Sequence, residues 1–184
     1  MRYDATPKYV ESAFLTATVK NTSDFPPLAG QLAAFVDGAF IANSHLEQTM
    51  AGAHFDLALG VDAALAIKRT LTNRFVEKTG FTNGGHRVTY EINLELTNHK
   101  STPLTLKLAE PLPVIRHEKI VVKLLTPTPR EIGTTETADD SKAFQRDTEG
   151  ILTWTGSLAP GATRELTLKF SIEHPADLAV TGVE

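Results

Sequence analysis

His117 and Glu118 follow the turn Pro111-Leu112-Pro113, and an imidazole beside a carboxylate can move a proton or bind a metal. Joined to one of the acids further along the chain, the pair would make a hydrolase site; the plainer reading is a solvated loop histidine. The remaining histidines, at positions 45, 54, 86, 99 and 174, are dispersed, and none makes the His-Glu-x-x-His spacing of a zinc helix. Gly156-Ser157 lacks the Gly-x-Ser-x-Gly frame of a nucleophile elbow. The chain continues Leu158-Ala159-Pro160-Gly161, so Ser157 reads as turn material. The glycines at 80, 84 and 85 lack the lysine and following helix of a phosphate-cradling loop, and read as a hairpin connection. Asp139, Asp140, Asp147 and Glu149 could offer oxygens to calcium, but they lack the regular alternation and central glycine of a calcium loop. The residues therefore assign no catalytic, cofactor-binding or metal-ligating set, and no cofactor is expected.

Three other features are weighed against bland alternatives. Lys68, Arg69, Arg74 and Lys78, with Glu77 among them, read as a solvated strand face paired with acidic neighbours. Trp154, the sole tryptophan, could be an exposed binding aromatic, but its setting in Ile151-Leu152-Thr153-Trp154 predicts packing between sheets. Asn21-Thr22-Ser23 matches a glycosylation triplet of a kind that arises often by chance.

The elements that must position these residues are strands. From Arg87 to Asn98, Val88, Tyr90, Ile92, Leu94 and Leu96 alternate with polar residues, the period of a half-buried strand. A charge at Ile92 is expected to unfold the domain. Leu166, Leu168, Phe170 and Ile172 repeat the pattern, as do Leu104, Leu106 and Leu108. Lys119 to Leu125 is more continuously apolar and is expected to be buried on both sides. Upstream strands are predicted over Phe14 to Lys20, Gln31 to Phe35, Ala39 to Ala42, His54 to Leu59 and Ala64 to Phe75. Asp37-Gly38 marks a hairpin between Ala34-Phe35-Val36 and Ala39-Phe40-Ile41. Asn98 to Thr102 reads as a turn, and Glu131 to Gly150 as a mobile loop with at most one short helix turn. The expected fold is an all-β, antiparallel β-sandwich, immunoglobulin-like in its C-terminal two thirds. The boundary is placed after residue 61, giving an N-terminal β region over 1–61 and a sandwich over 62–184.

Composition narrows the function classes. The 184 residues are 41% apolar and 22% charged, enough to build a packed core. A net charge of -4 leaves no basic footprint for nucleic acid. No apolar run reaches a membrane-spanning length and no signal peptide is recognisable, so membrane insertion is not expected. There is no cysteine, which removes disulfides and thiolate metal sites without fixing the compartment.

Ordered motifs over nearly the whole chain carry a family resemblance. They are Ala5-Thr6-Pro7-Lys8, Phe14-Leu15-Thr16-Ala17-Thr18-Val19-Lys20-Asn21, Phe35-Val36-Asp37-Gly38-Ala39-Phe40-Ile41 and Leu59-Gly60-Val61-Asp62. Lys78-Thr79-Gly80-Phe81, Leu112-Pro113-Val114, Ile120-Val121-Val122-Lys123-Leu124-Leu125, Leu152-Thr153-Trp154 and Leu158-Ala159-Pro160-Gly161 complete the series. In these the chain resembles the domain of unknown function that forms the C-terminal part of mucoidy inhibitor A-like proteins. Ile115, where a small polar residue is common, and Asn43-Ser44, where glycine and lysine are usual, depart from the pattern. The resemblance implies an all-β arrangement ending in an immunoglobulin-type sandwich, with no established activity and no catalytic residue to carry over. Family members usually bear further β segments and a coiled-coil domain upstream, so a shortened version is expected.

The expected function is a non-catalytic protein-interaction or scaffold module. An incomplete sheet would leave an exposed edge for a protein partner or for self-association, possible homodimer formation included, through the N-terminal third. The first alternative is a carbohydrate or cell-envelope binding module; the second is a hydrolase using His117, Glu118 and a loop acid.

Overall fold

A computed structural model describes residues 1–36, 38–79, 84–115, 117–134, 143–178 and 180. Its strands are β1 (Arg2–Ala5), β2 (Phe14–Lys20), β3 (Gly30–Val36), β4 (Ala39–Leu46), β5 (His54–Val61), β6 (Leu65–Thr79) and β7 (Gly85–Asn98). They continue with β8 (Leu104–Pro111), β9 (Val121–Thr126), β10 (Ile132–Thr134), β11 (Phe144–Arg146), β12 (Ile151–Leu158) and β13 (Thr163–Pro175). The one helical element among the described residues is a 3-10 turn over Pro129–Glu131.

Alternation builds the core. Val88, Tyr90, Ile92, Leu94 and Leu96 of β7 are buried, and β13 pairs beside it with Leu166, Leu168, Phe170 and Ile172 turned the same way. The Tyr90 and Phe170 rings stack with centroids 5.1 Å apart. These strands belong to a four-stranded sheet in the order β6-β7-β13-β9. Against it lies a seven-stranded sheet, β10-β11-β12-β8-β1-β2-β5, whose Leu106, Leu108, Leu152, Trp154 and Tyr3 share the same core. Burying each large apolar side chain favours folding by roughly 1.5 to 3 kcal/mol before chain entropy is charged.

β3 and β4 form a separate hairpin, Val36 pairing with Ala39 across Gly38, whose φ of 80° meets the turn's need for a left-handed residue. The expected partner in that turn, Asp37, lies outside the described residues, as do Asn83 and the acids Asp139 and Asp140. The hairpin passes close to β5 at Gly60, where an added Cβ would stand 3.8 Å from that of Ala42.

Several expectations need correction. The sheets are not wholly antiparallel: β1 runs parallel to β8 and β10 parallel to β11. Neither pair is joined by a tight turn, and only a tight turn forces antiparallel pairing. β9 is not buried on both sides; it alternates, Val122 and Leu124 packing against the core while Val121 and Leu125 stand exposed with Lys123 on the face turned away from it. The stretch 131–150 carries β10 and β11 at its ends rather than loop alone. Ser157 lies within β12, not in a turn. At the expected boundary after residue 61, β1 and β2 hydrogen-bond in one sheet with β8 and β12 from the later part of the chain. The core accordingly draws on both sides of that position.

Trp154 is buried, as its setting predicts, and its ring folds back over Gly156. A Cβ at Gly156 would fall 2.2 Å from Trp154 Cζ2, so only glycine admits the ring there. Asn21 is buried and donates from Nδ2 to the carbonyls of Phe25, Thr49 and Met50, which removes it as a sugar acceptor in the folded state. Asn98 does the same work at the 98–102 turn, donating to the carbonyls of Thr102, Leu158 and Ala159.

Candidate functional site

β6 is fifteen residues long and stands at the margin of the four-stranded sheet, hydrogen-bonded to β7 on one side. Its first half is anchored. Leu65 and Ile67 enter the core, and the Arg69 guanidinium reaches across to Glu110 on β8, with Nε and Nη2 both 3.0 Å from Oε1. The Arg69 amide points the other way and donates to the Glu11 carboxylate at 2.6 Å, which closes the strand margin at this point.

A bulge between Leu71 and Asn73 then changes the phase of the strand. Every residue from Leu71 to Val76 is exposed, with Leu71 at 38%, Phe75 at 57% and Val76 at 48%. Since the Arg69 amide faces away from β7, alternation along the ladder, reset by the bulge, turns the amides of Val76 and Lys78 outward too. The second half of β6 therefore offers backbone donors and acceptors flanked by apolar side chains.

The solvent face beside this margin is a ladder of charges. Arg87 donates to Glu173 at 2.8 Å and to Glu77 at 3.3 Å, Lys123 donates to Glu173 at 3.2 Å, and Lys169 lies 3.7 Å from Glu91. Lys123 and Arg87 hold the Glu173 carboxyl below the usual carboxylate range. The ladder lines a shallow concavity of about 460 Å³ with Phe75 on its wall.

Two further clusters escaped the sequence reading. Glu110 is buried, its side chain 3% exposed, and burial pushes its pKa up while Arg69 and Lys8 oppose the rise. Its Oε2 has no hydrogen-bond partner among the described residues. Elsewhere, Tyr3 Oη and Lys100 Nζ each donate to Asp62 Oδ2 at 2.6 Å, and the Ala64 amide donates to Oδ1 at 3.0 Å. Lys100, and then Tyr3, hold the Asp62 pKa down at about 2. The Glu110 signal was available: Leu104, Leu106 and Leu108 set a phase that points residue 110 inward, and a buried acid demands a partner. Its partner carries no such signal: Arg69 has the sequence setting of a solvated strand face, and only the fold brings it to Glu110.

Residues 3–176 match a family described as a domain of unknown function, DUF4139. The chain belongs to this family. A curated relative is Protein F37C4.5 of Caenorhabditis elegans, 31% identical over 164 residues. That match takes in 89% of this DUF4139 chain but 29% of the relative. No solved structure matches.

The other residues weighed for chemistry stay apart in the DUF4139 fold. His117 and Glu118 are exposed, and His117 Nδ1 accepts the Lys119 amide at 3.2 Å. Asp147 is engaged locally, accepting the amides of Glu149 and Ile151. His86 and His174 come together across β7 and β13, with ring centroids 5.7 Å apart. Among the described residues no three or more His, Asp or Glu side chains are grouped to hold a metal ion. Nor is any helix among them long and apolar enough to cross a membrane.

Proposed function

We propose that this domain is a non-catalytic protein-interaction module which takes an extended segment of a partner as an added strand along β6. The supporting observation is the exposed second half of β6, with Leu71, Phe75 and Val76 beside outward-facing amides. A long apolar strand margin left open invites indiscriminate pairing, so a protein that keeps one has a use for it. Strand addition supplies main-chain hydrogen bonds for affinity and alternate side-chain contacts for selectivity. Within this reading the facing sheets form an immunoglobulin-like sandwich, and the domain is the binding end of a mucoidy inhibitor A-like protein.

The test is a neutral peptide of about nine residues, the length that covers 71–79, alternating valine and serine. Titrated into the full chain, it should slow amide exchange at Val76 and Lys78. Val76→Pro removes one outward donor without touching the ladder to β7 and should abolish the effect. Binding that is unchanged by Val76→Pro, or that protects other strands, defeats the proposal.

A second reading, carbohydrate binding, draws on Phe75, which stands exposed beside Asn73, Glu77 and Arg87 in the concavity. Trp154, the aromatic first considered for that role, is in the core. A glycan array on wild type and Phe75→Ser tests it, and the absence of any Phe75-dependent signal counts it out.

A further inference from the structure

We infer that the segment received by β6 is the β6 of a second copy of this chain, laid antiparallel about a two-fold axis at Phe75; this rests on the strand-addition reading above. Beyond the bulge, Asn73, Phe75, Glu77 and Thr79 spend their main-chain groups on β7, while Arg74, Val76 and Lys78 turn theirs outward. Two β6 strands are therefore in hydrogen-bonding phase only when outward residues meet outward residues. An axis between two neighbouring residues breaks that phase, so the axis passes through a residue.

Charge and the bulge then select the residue. With the axis on Arg74, Glu77 or Lys78, that charge faces its own copy; on Val76, Arg74 faces Lys78; and on Asn73, the bulge at Thr72 falls beside the axis and breaks the ladder there. With the axis on Phe75 no like charges face each other. Arg74 and Val76 then exchange both main-chain hydrogen bonds, repeated by the symmetry, and Asn73 sets its amide opposite the Glu77 carboxylate. The run from Asn73 to Glu77, free of the bulge, is centred on this axis, and the margin that Glu11 closes at Arg69 lies outside it.

The exposed apolar groups fit the same register. Phe75, on the sheet face turned from the core, meets its own copy at a non-hydrogen-bonded position, where Cβ atoms stand about 4.5 to 5.5 Å apart and an aromatic pair is favourable. On the opposite face Val76 lies against the aliphatic stem of Arg74. The two four-stranded sheets become continuous, and each open margin covers the other.

The experiment is analytical ultracentrifugation of the full chain in about 150 mM salt, which screens the net charge of -4 that each copy carries. A junction this short belongs with small transient interfaces, so the wild type should pass from monomer to dimer between about 10 µM and about 1 mM. Val76→Pro should stay monomeric. Phe75→Lys and Phe75→Glu should each weaken association by about tenfold or more, through a lost ring pair and a like charge at the axis. An equal mixture of the two should associate more tightly than either alone, because only an axis through residue 75 sets the unlike charges opposite each other. The position is exposed, and circular dichroism should show each variant folded. A dimer that Val76→Pro leaves intact, or a mixture no tighter than its components, overturns the pair. A wild type that stays monomeric throughout, with Val76 and Lys78 still protected by the valine and serine peptide, overturns the second copy and leaves strand addition standing. A monomer that the peptide does not protect overturns both.

Discussion

Replacing Arg69 by methionine leaves a buried acid whose remaining nearby cation, Lys8, turns its ammonium to the Pro111 carbonyl. Glu110 is 3% exposed and its Oε1 holds both contacts from Arg69, while Oε2 is already without a hydrogen-bond partner among the described residues. Keeping the carboxylate ionised there without Arg69 costs about 3 to 5 kcal/mol. The group escapes that cost by taking a proton. From the ordinary value of 4.5, protonation at pH 7 costs about 3.4 kcal/mol, but at pH 5 only about 0.7 kcal/mol. Adding about 1 kcal/mol for the lost hydrogen bond, Arg69→Met should destabilise by about 4 kcal/mol at pH 7 and about 2 kcal/mol at pH 5. The sign follows from linkage: a carboxyl whose folded pKa is raised binds a proton that the unfolded chain has released. Its contribution is complete below the unfolded value and is lost as pH rises through the folded value, and Arg69→Met moves that loss to higher pH. Urea unfolding at the two pH values measures the difference. Pairing the change with Glu110→Leu should restore most of the stability, since an apolar pair needs no partner. An equal loss at both pH values, or no recovery in the double variant, refutes a buried and strained carboxylate.

Ile92→Asp puts a charge at a position 2% exposed in the middle of β7 and should remove more than about 5 kcal/mol, enough to unfold the domain. A cooperative urea transition keeping over half the wild-type stability would contradict it. Asp62, held down at about 2 by Lys100 and Tyr3, contributes stability that is full above its ordinary value of 3.8 and is lost as pH falls through about 2. Lys100→Ala should cost about 1 kcal/mol at neutral pH after solvent screening and shift the acid transition upward; an unmoved transition would rule the clamp out. Gly156→Ala pushes a methyl into the Trp154 ring and should cost about 1 to 3 kcal/mol with a red-shifted tryptophan emission. Unchanged emission would mean the ring does not rest on Gly156.

Much of the site was half legible. Period-two alternation marks β6 as a strand and Lys68, Arg69, Arg74 and Lys78 as its cations. It does not show that Thr72 is a bulge which swaps the faces beyond it, because a bulge leaves the composition of the strand unchanged. Arg69 looks like its solvated neighbours, since nothing near it in the chain reveals a carboxylate forty-one positions away.

What the residues determined by themselves was the local conformation and which side chains face inward: Val88 to Leu96 on β7, Leu166 to Ile172 on β13, and Trp154 between the sheets. Those follow from the two-residue repeat of an extended chain and from the water-avoidance of apolar groups, both readable within a short window. Tertiary structure alone decided that β1 lies parallel to β8, that Arg69 crosses to Glu110, and that β6 is left at a margin. Alternation tells each strand which face to bury but not which strand to lie beside, and that choice is made by contacts between segments far apart in the chain.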